Sequence, residues 1–172
     1  MAQMATRGDL ASALFNALGI EPTSSGRFGD AGELDAATST LADLGITNGI
    51  GGGQYGTAQP TTRGQAFTMI ARALGLADAN TTIQQASQAL VNAGIVQGYG
   101  GDPNNLGIND ALRADHLGLL IDRLQPELER PSGDIGGGTV ADRIVDQADQ
   151  IRDENVARED PAYAAYLRGV GI

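Results

Sequence analysis

Apolar residues return at helical spacing three times along this chain, each time just behind an arginine. After Thr62-Arg63 the residues Ala66, Met69, Ile70, Ala73 and Leu74 fall at i, i+3, i+4, i+7 and i+8, one stripe of an amphipathic helix. Thr6-Arg7-Gly8-Asp9 opens a similar run through Leu10, Ala13, Leu14, Ala17, Leu18 and Ile20. Leu112-Arg113-Ala114-Asp115 opens a third, through Leu119, Leu120 and Leu124. The starts are written into the polar positions. Thr62 can accept from the backbone N–H three residues on while Gln65 reaches back, and Thr6 and Asp9 stand in the same relation. Gly19 and Gly75 follow directly on an apolar position, Leu18 and Leu74, where a left-handed helix end is easiest for glycine.

A second phrase lies between these helices. Leu41-Ala42-Asp43-Leu44-Gly45-Ile46-Thr47-Asn48-Gly49 is echoed by Leu90-Val91-Asn92-Ala93-Gly94-Ile95-Val96-Gln97-Gly98. The arginines Arg7, Arg63 and Arg113 are 56 and 50 residues apart and the two Gly-Ile phrases 49 apart. A period of this size marks repeats of one supersecondary unit, here helix, Gly-rich loop, helix. One such unit cannot bury its own stripe, so the units must pack on one another.

The units resemble the S-layer homology (SLH) family. Its repeats open on Phe-x-Asp, as in Phe28-Gly29-Asp30, and continue to Gly-Ile-x-x-Gly. They then pass a loop and a proline, here Pro60, and end on a Thr-Arg-Ala-Glu helix. The likeness is good over residues 28–76, fair over 77–125 and half a unit over 4–20, about two and a half repeats within residues 4–125. Asp9, Gln65 and Asp115 replace the Glu, Leu112 replaces the Thr, and there is no Trp. The resemblance implies helix-loop-helix repeats around a pseudo-threefold bundle, an all-α fold to which the residues of the tail add a C-terminal helical arm. It also implies grooves between units that hold an extracellular protein on cell-wall polysaccharide. The first unit lacks its opening half, yet the chain closes on Leu167-Arg168-Gly169-Val170-Gly171-Ile172, which lines up with both Gly-Ile phrases. One reading is a circular permutation that completes this chain's own third unit or a neighbour's. The other is a short terminal helix that shares Leu and Gly-Ile by chance.

Composition narrows the chemistry. All 11 basic residues are Arg, against 21 acidic ones, for a net charge of −10. That balance argues against nucleic acid or an anionic membrane as partner. Aromatics make up 4%, so the core is expected to be Leu, Ile, Val and Ala closely packed. There is no cysteine, hence no disulfide, thiolate nucleophile or sulfur metal site. The single His116 aligns with apolar Ala66 and reads as a helix residue, not a general base. Gly49-Ile50-Gly51-Gly52-Gly53 lacks the strand before it and the Gly-Lys-Ser/Thr after it that a phosphate loop needs, so it reads as a turn. Asp102–Gly107 begins like a calcium loop, but Leu106 fills a ligand place and Arg113 stands where the bidentate Glu belongs. The expectation is a protein without enzymatic activity, cofactor or metal.

From Pro126 the composition shifts. The expected division is a repeat domain at 1–126, a Pro/Gly linker at 127–138 and a helix with a docking tail at 139–172. Val140, Ile144, Val145, Ala148 and Ile151 form a narrow apolar stripe on a highly charged helix that needs a partner surface. Tyr163, Tyr166 and Leu167 beyond it are docking candidates, and Arg7, Arg63 and Arg113 are groove candidates. Arginine beside a helix N-terminus suits a carboxylate or phosphate; equally, each could brace the loop before it or pair with an acid. No transmembrane-length run exists, and no stretch near Met1 has signal-peptide character. From this the first expectation is a structural assembly subunit that joins other subunits, most naturally in a bacteriophage virion. The alternative is a wall-polysaccharide anchor at a bacterial cell surface.

Overall fold

A computed structural model describes residues 3–131 and 138–159, with side chains given as far as residue 154. It is all-α: α1 Arg7–Leu18, α2 Asp35–Asp43, α3 Arg63–Ala73, α4 Ile83–Asn92, α5 Ala114–Leu128 and α6 Val140–Glu159. Among the described residues β-structure is limited to isolated bridges. The capping boxes expected at Thr6/Asp9 and Thr62/Gln65 are present, and two further ones start α4 (Thr82/Gln85) and α6 (Thr139/Asp142). Gly19 ends α1 in the left-handed conformation, φ 65°.

Three of the helices start from one ring of backbone hydrogen bonds. Ala5 N–H donates to Leu112 O (2.8 Å), Leu112 N–H to Thr61 O (2.9 Å) and Thr61 N–H to Ala5 O (3.1 Å). All three residues are fully buried. The next link repeats around the cycle: Arg7 N–H donates to Gln59 O, Arg63 N–H to Asp110 O and Ala114 N–H to Gln3 O. Helix starts leave N–H groups without intrahelical partners. Here α1, α3 and α5 satisfy theirs on the chain leading into the next helix of the cycle.

That ring sets a register different from the sequence alignment. Bridges pair Thr6 with Pro60, Thr62 with Ala111 and Arg113 with Met4. Arg113 therefore occupies the N-cap place of Thr6 and Thr62, and Ala114 the place of Arg7 and Arg63. The shift of one residue corrects the third stripe. Leu119, expected in the core, is 52% exposed; in the ring's frame it aligns with Ser12 and Thr68, whereas Leu117, Leu120 and Leu124 align with the stripe residues Ala66, Met69 and Ala73. The buried stripe of α5 is Leu117, Leu120, Leu124 and Leu128. Nor does the helix stop at Pro126; it continues to Leu128.

α3 is the most completely buried helix. Its expected stripe is buried apart from half-buried Leu74, and so are Arg63, Gly64, Phe67, Thr68 and Ala71 on its other faces. Its largest helix–helix contact is with α4, while α1 meets α2 and α5. The core is aliphatic as expected except at its largest members, since Tyr55 and Phe67 are fully buried. α6 packs against α1 and α5, burying Ile144 and Ala148 in the same cluster. Its Arg143 donates to Leu74 O at the end of α3 (3.3 Å). The helix of the tail thus shares the core of the repeats.

Candidate binding grooves

Arg7 and Arg63 occupy matching places and make matching bonds. Arg7 Nε donates to Tyr55 O (2.8 Å) and its Nη2 to Asn48 O (2.8 Å). Arg63 Nε donates to Leu106 O (3.0 Å), the residue standing to Asp110 as Tyr55 stands to Gln59. Both guanidinium groups lie over aromatic rings: Arg7 4.7 Å from the centroid of Tyr55, Arg63 4.5 Å from Tyr99 and 5.2 Å from Phe67. His116 Nδ1 is 3.5 Å from Arg63 Nη1. The loop-bracing reading therefore describes both residues, yet bracing uses only part of each five-donor fork. Among the described residues neither forms an ion pair. Arg113 differs: it sits at a helix cap and is neutralised by Asp115 through two bonds, 3.0 and 2.9 Å. That contact also holds the Asp115 carboxyl below its ordinary range.

Each unpaired arginine looks into a groove between units. The first, between α1 and α3, has a volume of about 290 Å³ and is lined by Arg7, Thr47–Ile50, Met69 and Arg72. The second, between α3 and α5, has about 270 Å³ and is lined by Arg63, Phe67, Gln97–Gly101, His116 and Arg123. Both carry an arginine on each of two walls, since Arg72 and Arg123 lie equally far along their helices from the ring. Sequence reasoning missed this second pair. Its signal was present, one arginine ten residues after each of the caps Thr62 and Arg113, but it shows only in the ring's register.

The loops beneath the grooves are fastened by carboxylates and close packing. Asp30 accepts from Tyr55 N–H (2.7 Å) and Gly56 N–H (2.8 Å). The bond from Tyr55 does most to lower its pKa; burial opposes it, and the bond from Gly56 adds to the lowering. Phe28 packs on Tyr55 with centroids 5.2 Å apart, so the Phe-x-Asp phrase is the clamp on this loop. Burial raises the pKa of Tyr55, countered in part by its bond to Thr47 and by Arg7. Burial also raises that of Tyr99, and its hydroxyl's bond to Asp110 (3.0 Å) adds to the rise. Both phenols are therefore neutral at pH 7, leaving the arginines as the grooves' charge. Gly51, Gly52 and Gly53 form a turn between helices, closed by a Gly51–Gln54 bridge. The helix N-termini offer these grooves little, because the first N–H groups of α1 and α3 already bond Gln59, Thr57, Asp110 and Ile108 carbonyls. Tyr163, Tyr166, Leu167 and the closing phrase to Ile172 lie outside the described residues.

The family model of the S-layer homology domain matches residues 37–67, from the third residue of α2 to the fifth of α3. That segment holds Gly45-Ile46, the Thr47–Ile50 wall of the first groove and Arg63 of the second. Comparison with curated proteins and with solved structures found no match.

Proposed function

We propose that this chain is a binding module without catalytic activity that holds an acidic polysaccharide of a bacterial cell wall, and so works at the cell surface. One observation carries the reading: two similarly built grooves each keep an arginine that has no carboxylate partner among the described residues, on a protein whose net charge is −10. An acidic protein has carboxylates in plenty to neutralise its cations, as Arg27 and Arg113 illustrate with Asp43 and Asp115. Arg7 and Arg63 are held instead by neutral carbonyls and aromatic faces, which fix their direction and leave their charge. A carboxylate or phosphate on a glycan suits the remaining edge of a guanidinium. The S-layer homology segment at 37–67 supports this reading over that of a virion subunit, for which it offers nothing.

Sedimentation with purified bacterial cell walls tests it. Arg63→Gln and Arg123→Gln, on opposite walls of one groove, should each weaken binding about tenfold, the loss of one charge-assisted contact of about 1.4 kcal/mol. Arg113→Gln should change it little, since Asp115 already pairs that charge. If Arg63→Gln/Arg123→Gln, folded by circular dichroism, sediments with walls as the wild type does, the grooves are not the binding site.

A further inference from the structure

The cleft between α5 and α1 is the third of three built around the same ring, and it differs from the other two. The α1–α3 and α3–α5 grooves are each covered by the chain that follows an outer helix, Thr47–Ile50 after α2 and Val96–Tyr99 after α4. Among the described residues the third is lined by α1 and α5 alone, chiefly Ala13, Ala17, Leu117, Gly118 and Ile121. Its volume is about 510 Å³, well above the other two. Its cations are also replaced. Counted from the ring, Ala114 holds the place of Arg7 and Arg63, and Asn16 the place of Arg72 and Arg123. A small-residue, mostly apolar cleft with Asp122 as its charged member suits an apolar chain segment better than an anion.

We infer that this cleft is filled by the chain's own C-terminal segment, Tyr163–Ile172, acting as the third outer segment. α6 already packs on both walls, α1 and α5, and ends at Glu159. Thirteen residues, 160–172, follow it. Extended, they span on the order of 40 Å, enough to reach any part of a cleft between helices this short. Their composition fits: Tyr163, Tyr166, Leu167, Val170 and Ile172 supply apolar area, and Arg168 supplies a partner for Asp122. Leu167–Ile172 repeats the Leu-x-x-x-Gly-Ile phrase that ends the outer helices in the other two units. A short tether from α6 gives this segment an effective concentration near millimolar, so it outcompetes the same segment of another copy at ordinary protein concentrations. None of this depends on what the cationic grooves bind.

The absence of cysteine makes a clean crosslinking test. Gly118→Cys is combined in turn with Tyr163→Cys, Tyr166→Cys and Leu167→Cys in the full chain, under mild oxidation. A disulfide needs Cα atoms within about 7 Å, so at least one pair should close within a single chain. Gly118→Arg, at a site where a Cβ meets nothing within 4 Å among the described residues, should lower the melting temperature by several degrees. Removal of residues 160–172 should lower it equally, and the two together no further, because they break one contact. Disulfides only between chains would assign the cleft to a second copy and overturn the proposal. No disulfide, or melting effects that simply add, would overturn it as well.

Discussion

Gly64 and Gly118 carry the same intrinsic penalty in a helix, about 0.5–1 kcal/mol relative to alanine, in opposite surroundings. A Cβ on Gly64 would stand 2.5 Å from Ile83 Cγ2 and 2.7 Å from Ile108 O, the carbonyl that its own N–H bonds. The carbonyl is backbone and cannot turn away, so the crowding outweighs the gain in propensity. Gly64→Ala should lower stability by about 1–3 kcal/mol in chemical denaturation. On Gly118 a Cβ meets nothing within 4 Å among the described residues. Gly118→Ala should therefore cost less than Gly64→Ala, staying within about 1 kcal/mol of the wild type. A stabilised Gly64→Ala would show that α3 and its loop are not as close as 2.7 Å implies. The contrast also explains why glycine stands here where the S-layer homology pattern has alanine.

α2 shows how an element with little apolar area is held. It buries Thr38, Ser39 and Thr40 beside Ala37 and Leu41, and its polar groups hold the irregular segment before it. Thr40 Oγ1 accepts from Thr23 N–H (2.9 Å), and Asp35 accepts from Gly26 N–H (2.7 Å). Asp43 gathers Thr23 Oγ1, Ser24 Oγ and Arg27 Nη2, each at 2.6 Å. Burial raises the Asp43 pKa, but these bonds outweigh it and the net shift is downward. Asp30 and Asp78 are lowered too, by backbone bonds from Tyr55 and Asn80 first. A carboxyl depressed in the folded state contributes stability that is complete above its unfolded pKa of about 4. That contribution is lost as pH falls through the folded value. Melting temperature should hold from pH 7 to 5 and fall below about pH 4, and Asp43→Asn should make the fall shallower. An Asp43→Asn variant with an unchanged acid slope would remove Asp43 from the account.

At the scale of the molecule one cluster joins α1 to α6, and Ile70 is fully buried in it. Ile70→Asp places an unpaired carboxylate there at a cost of several kcal/mol, comparable with the whole stability of a domain. The variant should unfold or melt far below the wild type; a melting point within a degree or two would show that Ile70 is not central. The sequence by itself determined the capped starts of α1 and α3, the two Gly-Ile ends and the all-α class, because each depends on residues within one or two turns of one another. Thr62 and Gln65 need only three residues between them to cap α3. Tertiary structure decided the register of α5, since that is set by the backbone bonds that Leu112 accepts from Ala5 and donates to Thr61, which carry no side-chain signature. With that register it decided which arginines face a groove: Arg7 and Arg63 have no ion-pair partner among the described residues, while Arg113 moves to a cap and meets Asp115. It also brought Arg72 and Arg123 opposite them. Local spacing records what can lie on one helix face, but a groove is made of two helices and a loop, and only packing states which faces meet.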